Sequence, residues 1–506
     1  MTTRTILFFI FCSIFLSTSR LSAQRASFAE VESTYFNKSG VLETAGEIVG
    51  YYLLNYHKTG TDQGFYTIQL MDQDLNKIGE QDLDDYGDIT VIDVAYNGTN
   101  LGVLVVNHDQ EKKWLIVLDG DGQFVKKTAL PYSMYDTREY EAFNNPIKVN
   151  LYGIRPLIPT PEGFLHVGLN AKKKFITSGG HYLLTMVPNA AEERGWRSSS
   201  RDKKIHTEGA IYLGSNDEFL LMGIFSKSAF PAKKHDMKVV GFDLATGRRL
   251  FSYAPEKGEP MIRFMGGKAA GDDVVVYGYD VGKKPALFTE SPENIHALRF
   301  SATGKLKKGQ SISVADVMRS EFDVKKSGKV SEYGNLMLHD LAVTPEGGLI
   351  LAGEFYRVMN IYVKTNAGVL ISLYPDMSLE KVDIVEKGSS SGSAFGVSGF
   401  MLGVPKAALM GNYANARGIF DFNFLHDNRG TIIATYELGR GEDKREASHG
   451  VQVCVYLDGD IMQERIDFAT TTDKAIVLPA KEGYLAIIEY DGDSQALDVH
   501  MERLTF

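Results

Sequence analysis

The stretch Val343-Thr344-Pro345-Glu346-Gly347-Gly348-Leu349-Ile350-Leu351-Ala352-Gly353 decides the fold. An apolar run ends, a tight polar turn follows, and a second, more continuously apolar run leaves it. Pro fixes φ and Gly supplies positive φ, which is what reversing a strand requires. The same grammar recurs at Asn97-Gly98-Thr99-Asn100, Thr160-Pro161-Glu162-Gly163, Ser215-Asn216-Asp217-Glu218, Gly271-Asp272-Asp273, Asp427-Asn428-Arg429-Gly430 and Lys481-Glu482-Gly483. Four of the runs after these turns place a glycine at one point: Gly168, Gly223, Gly278 and Gly353, spaced by 55, 55 and 75 residues. Related runs without that glycine are Ile48 to Leu54, Leu101 to Val106, Thr431 to Tyr436 and Tyr484 to Ile488, which makes eight units.

A second marker closes each unit, a third strand turning into a fourth. It reads Met71 to Asn76, Leu118 to Gly122, Phe242 to Gly247, Phe300 to Gly304, Tyr374 to Met377 and Leu457 to Asp460. The strand after it is charged, as in Arg248-Arg249-Leu250-Phe251. Each unit therefore runs inner, buried, half-buried, then polar and outer, the gradient of a radial blade. The expected fold is all-β, a single β-propeller of eight four-stranded blades, with seven as the alternative count. The last unit lacks a fourth strand, so the N-terminal strand closes the ring, and Val31 to Phe36 is the segment expected to do it. Two β-sandwiches or an outer-membrane barrel are the competing architectures. The barrel is disfavoured because its strands alternate apolar and polar, and these runs do not.

Composition bounds the partners. The chain has 506 residues, 54 Lys and Arg against 64 Asp and Glu, and a net charge of -10. That excludes nucleic acid, whose phosphates need clustered cations. Arg4, the apolar run Ile6 to Leu16 and the small residue Ala23 read as a secretory signal over residues 1–23. Export to the periplasm, the exterior or the cell surface follows, with no integral membrane segment after cleavage and a mature net charge of -12. Cys12 leaves with the signal. Cys454, in a strand-like run, is then the one remaining cysteine and reads as a small buried hydrophobe. The mature domain spans 24–506, with inserted loops at 131–145, rich in tyrosine (Tyr132, Tyr135, Tyr140), and at 387–412.

Chemistry is sparse. Gly388-Ser389-Ser390-Ser391-Gly392 matches the nucleophile-elbow string, but an elbow needs a strand-to-helix turn in an α/β sheet, so a linker is expected. Asp119-Gly120-Asp121, Asp458-Gly459-Asp460 and Asp491-Gly492-Asp493 lack the further ligands of a calcium loop. They read as hairpin turns, leaving no cofactor and at most a weak surface Ca2+ site. Four His-Asp pairs occur, at His108, His235, His339 and His426, and neighbours on a strand face opposite ways. Inner strands line the axial channel, so Asp93, Arg155, His339 and Asp421 are the expected ligand-binding funnel, with no catalytic or metal residue assigned.

Gly241 to Phe251, with its Ala245-Thr246-Gly247 turn, resembles the turn of quinoprotein propeller repeats. Those repeats carry a docking tryptophan at a place that is not Trp here, so their dehydrogenase activity does not carry over. Ser33-Thr34-Tyr35, Ser39-Gly40, Gly50-Tyr51-Tyr52, Ala95-Tyr96-Asn97-Gly98 and Gly353-Glu354-Phe355-Tyr356-Arg357 are similar to an uncharacterised family of secreted Bacteroidota propellers. That resemblance implies fold and compartment only. Two functions compete: a monomeric, non-enzymatic module binding a protein or glycan on one face, and a carbohydrate- or peptide-active hydrolase or lyase at the channel mouth. Convergence of the four funnel residues on one pocket favours the enzyme; scatter favours the module.

Overall fold

The computed structural model describes residues 24–59, 63–83, 89–107, 109–132, 156–171, 180–200, 205–228, 235–255, 261–281, 293–304, 306–325, 329–359, 362–393, 420–428, 430–438, 450–457, 459–468 and 474–505. They form eight antiparallel sheets. In chain order the blades span residues 33–82, 90–130, 157–199, 205–253, 261–313, 335–393, 422–467 and 474–503. Blade 2 shows the gradient plainly. Thr90–Tyr96 and Leu101–Asn107 are almost wholly buried, Lys112–Leu118 mostly so, and Phe124–Leu130 is largely wet. Among the described residues the expected turns and buried runs fall where the sequence puts them. At Gly353 a side chain would strike the Met337 carbonyl of the inner strand, which is why that run carries glycine.

Each blade is oily on both faces, and eight apolar clusters fill the seams between consecutive blades. At the closing seam Tyr51, Leu53 and Met71 of blade 1 meet Ile488, Leu497 and Val499 of blade 8. Each such fully buried aliphatic contributes roughly 1.5–3 kcal/mol. The fourth strand of blade 8 is the N-terminal Arg25–Phe28, with Arg25 opposite His500 and Phe28 opposite Leu497. This corrects the expected closing segment. Within 31–36, Ser33–Thr34 pairs instead with Glu47–Thr59 of blade 1, and Val31 and Phe36 plug the closing seam.

Blades are also latched at their rims. The outer edge of one blade reaches the turn between the third and fourth strands of the next. Lys126 donates to the carbonyls of Pro188 and Ala190, the latter at 2.7 Å. Trp196 Nε1 donates to the Leu244 carbonyl at 2.8 Å, and Gln310 Nε2 to that of Asp376 at 2.8 Å. Gln24, just before the closing strand, donates to Asp74 at 2.9 Å. A docking tryptophan is thus present, supplied from the neighbouring blade 48 positions before the carbonyl it grips. Gly247 has φ of +67°, and a methyl there would overlap the Trp196 indole. Gly247→Ala should cost about 1–3 kcal/mol and Trp196→Ala about 2–4 kcal/mol. In a denaturant double-mutant cycle the glycine substitution should cost less once the indole is gone; equal costs would refute the contact.

Candidate functional site

Register shifts occur at inner and outer strand pairs alike. In blade 6 the pairing of Asn335–Val343 with Leu349–Met359 jumps between Leu338 and Asp340, and a bulge of this kind re-aims side chains. His339 turns toward blade 7, stacked on Phe422 with ring centroids 5.1 Å apart and edge-on to Phe420 at 4.8 Å. Asp340 turns toward blade 5, where the Tyr277 hydroxyl donates to it at 3.2 Å. Burial pushes the Asp340 carboxyl above its usual range.

His339 Nε2 lies 3.0 Å from Glu354 Oε2, and Glu354 is the centre of the site. Its oxygens accept the backbone N–H groups of Asp421, at 3.0 and 3.1 Å, and of Phe422, at 3.0 Å. Lys387 Nζ stands 3.1 Å from Glu354 Oε1 and 2.5 Å from Asp421 Oδ2. The Thr365 hydroxyl accepts from Lys387 at 3.2 Å and donates to Asp421 Oδ2 at 3.0 Å. The side chains of His339, Glu354, Lys387 and Asp421 are no more than 2% exposed. Burial alone would lower the Lys387 pKa; Asp421 and Glu354 outweigh it and raise it. Desolvating such ions costs several kcal/mol each, repaid only by good geometry and extra hydrogen bonds. The Glu354 contacts are of that kind.

Lys387 reaches this seam because the chain does not run out into a linker there. After the outer strand Leu379–Val385 it turns back, and Ser390–Ser393 pairs with Tyr362–Thr365 as a fifth strand of blade 6. The Gly-Ser start of the expected 387–412 insertion is therefore part of the blade. Beside Lys387 a cavity of about 650 Å3 opens between blades 6 and 7, lined by Ile384, Glu386, Leu438, Gln452, Gln463 and Arg465. That volume is in the range of small-ligand sites. Lys387 forms part of its wall, so the ion cluster holds one side of the cavity in place.

Of the four expected funnel residues, His339 and Asp421 meet through Glu354. Asp93 lies at another seam: its Oδ1 accepts the Val94 N–H at 2.9 Å, and its Oδ2 accepts the Leu157 N–H of blade 3 at 3.3 Å. Arg155, Tyr135 and Tyr140 are outside the described residues, as is the expected signal; Tyr132 packs on the seam between blades 2 and 3. Two of the His-Asp pairs have charged neighbours across the hub, Glu43 and Lys268, that the sequence does not single out. His426 of blade 7 feels Glu43 of blade 1 and Lys268 of blade 5, and Lys268 also acts on Asp340. In the Asp-Gly-Asp turns, Asp119 accepts the N–H groups of Asp121 and Gln123, and Asp491 that of Asp493. Cys454 is buried, and burial pushes its thiol up.

The seam between blades 2 and 3 holds His166, neither of whose ring nitrogens has a hydrogen-bond partner. Burial, then Lys113, depresses its pKa well below 6.5. A histidine depressed in the folded state adds stability above its unfolded pKa and loses it as pH falls below that value. Stability should therefore decline as pH drops through about 6.5, by up to about 1.4 kcal/mol per pH unit for one proton. His166→Met should flatten that slope in urea titrations at several pH values; an unchanged slope would show that the unfolded chain takes up its protons elsewhere.

Comparison with known proteins adds a family. No curated protein matches the chain. Among solved structures, one from a study of two prolyl endopeptidases is similar at 9% identity over 92% of this chain, with a TM-score of 0.42. This chain spans about half of that one, 54% of its length. The β-propeller domain of the Trilobed protease from Pyrococcus furiosus is 9% identical over 88% of this chain and 98% of its own, TM-score 0.40. The polysaccharide lyase Uly1 is 12% identical over 81% and 89%, TM-score 0.39. Likenesses at this level bear no functional weight, and the eight-bladed fold rests on the strand pairing itself. A family model described as a family of unknown function, DUF6770, matches residues 1–361 and 359–505, so the chain belongs to that family.

Proposed function

We propose that this protein is an exported, monomeric binding module that takes a protein or glycan ligand on its propeller, and that it is not an enzyme. The observation that carries the reading is the contrast at the seam between blades 6 and 7. There the groups capable of acid-base work, His339, Glu354, Lys387 and Asp421, are buried and engaged with one another. The open cavity beside them is walled by two amides, an arginine, a glutamate and two aliphatic side chains. Amides and a guanidinium suit hydroxyls and peptide groups, and the aliphatic side chains suit the apolar face of a sugar or a side chain. His339 and Asp421 of the expected funnel serve this reading from behind, by fixing the lysine in the wall. Export is supported by the charged and apolar N-terminal pattern of residues 1–23. Among the described residues no helix is long and apolar enough to cross a membrane.

The test is a glycan and peptide array probed with the mature protein. The double variant Gln452→Ala, Arg465→Ala should lose at least about tenfold in affinity for any ligand found, about 1.4 kcal/mol. Arg155→Ala tests the expected axial funnel. Loss with Arg155→Ala alone would move the site to the channel, and shortening of the bound glycan or peptide would replace the module with a hydrolase or lyase.

A further inference from the structure

We infer that Lys387 and Asp421 join in an intramolecular amide bond, formed by the folded protein itself with Glu354 as the proton carrier. The geometry is that of reactants held in contact. Lys387 Nζ is 2.5 Å from an oxygen of the Asp421 carboxyl and 3.1 Å from Glu354 Oε1. Glu354 is pinned by two backbone N–H groups, with His339 Nε2 3.0 Å away, and Thr365 donates to the carboxyl under attack. The surroundings are aromatic: Phe420 and Phe422 cover His339, and Tyr436 stands edge-on to Phe422. Amide formation in water is opposed by solvation of the two charges and by the abundance of water. Inside this seam both oppositions are weakened. Well-oriented reactants held in contact gain a large effective concentration.

The step balances without any outside reagent. The ammonium passes one proton to the Asp421 carboxylate it touches, leaving a neutral amine facing a neutral acid. The amine lone pair forms a bond to the carboxyl carbon, and the carbonyl electron pair moves onto oxygen. Glu354 takes the second proton from nitrogen and hands it to the departing hydroxyl. The carbon–oxygen bond breaks, water leaves, and Glu354 is a carboxylate again. One ammonium and one carboxylate have become one amide and one water. Glu354 acts on the reacting atoms directly, while His339 and Thr365 are positioning residues. The product ties the start of one blade to the end of its neighbour, between residues 34 apart in the chain.

Intact-mass measurement of the purified full chain decides the matter. The folded protein should be lighter than its sequence, after allowance for any N-terminal processing, by the mass of one water. A tryptic digest should show resistance to cleavage after Lys387 and a branched peptide linking it to the segment containing Asp421. Glu354→Gln and Lys387→Arg should both restore the full mass, with circular dichroism reporting whether each variant is folded. If a variant does not fold, the branched peptide in the wild type decides alone. Recovery of Lys387 as a free amine in the folded wild type, labelled by an acylating reagent after denaturation, would overturn the inference. A Glu354→Gln protein linked as completely as the wild type would overturn the role of Glu354.

Discussion

The constraint on which everything else rests is that each blade has two oily faces. In blade 2, every residue of Leu101–Asn107 is buried, with side chains alternating between the seam to blade 1 and the seam to blade 3. A sheet of that kind cannot end a stack, because its last face would be left in water at a cost of tens of cal/mol per Å2. Two neighbours for every blade means a ring. The twist between packed sheets lets eight of them meet, and an inner strand of each blade touches the blade beside it. At four of the eight seams rim latches, from Gln24 on Asp74 to Trp196 on Leu244, add a fixed hold of one blade on the next.

This architecture explains why polar groups in the seams matter more than polar groups elsewhere. A carboxylate on the outer strand is solvated and contributes little. The same carboxylate at the position of Glu354 must be met by donors on all sides, and it takes the N–H groups of Asp421 and Phe422 and the Lys387 ammonium. A lesser case is His166, whose ring nitrogens have no hydrogen-bond partner in the seam between blades 2 and 3 and which burial, then Lys113, holds neutral. The molecule thus contains two kinds of buried polarity. One is paired with its neighbours across a seam; the other is a point of acid sensitivity.

Much of the fold was legible because turn chemistry is local. Thr344 to Gly348 and Asn97 to Asn100 announce their hairpins through residues that permit the backbone angles, whatever surrounds them. The identity of the closing strand was not legible, since Arg25–Phe28 is short and polar, with a burial pattern that alternates between exposed and half-buried. Val31 to Phe36 carried the stronger apolar signal because it fills a seam instead of an edge. The site was half legible. His339 and Asp421 stand out as polar residues on or beside inner strands, but Glu354 looked like an ordinary interruption in Leu349–Met359. Lys387 opened what read as a glycine-serine linker. Only the return of Ser390–Ser393 to the sheet brings it inward, and that depends on a strand pairing no local pattern announces.

The strand Arg25–Phe28 has a consequence for how copies of the molecule meet. It is only four residues long, its pairing spans nearly the whole chain, and it binds an edge that any identical strand fits equally well. Contacts so distant in sequence form late. Until then Ala496–Arg503 presents unpaired backbone groups, an invitation to a second chain. Two crowded, newly made copies can each lend the other this clasp, giving an exchanged pair built entirely from contacts the single ring already has.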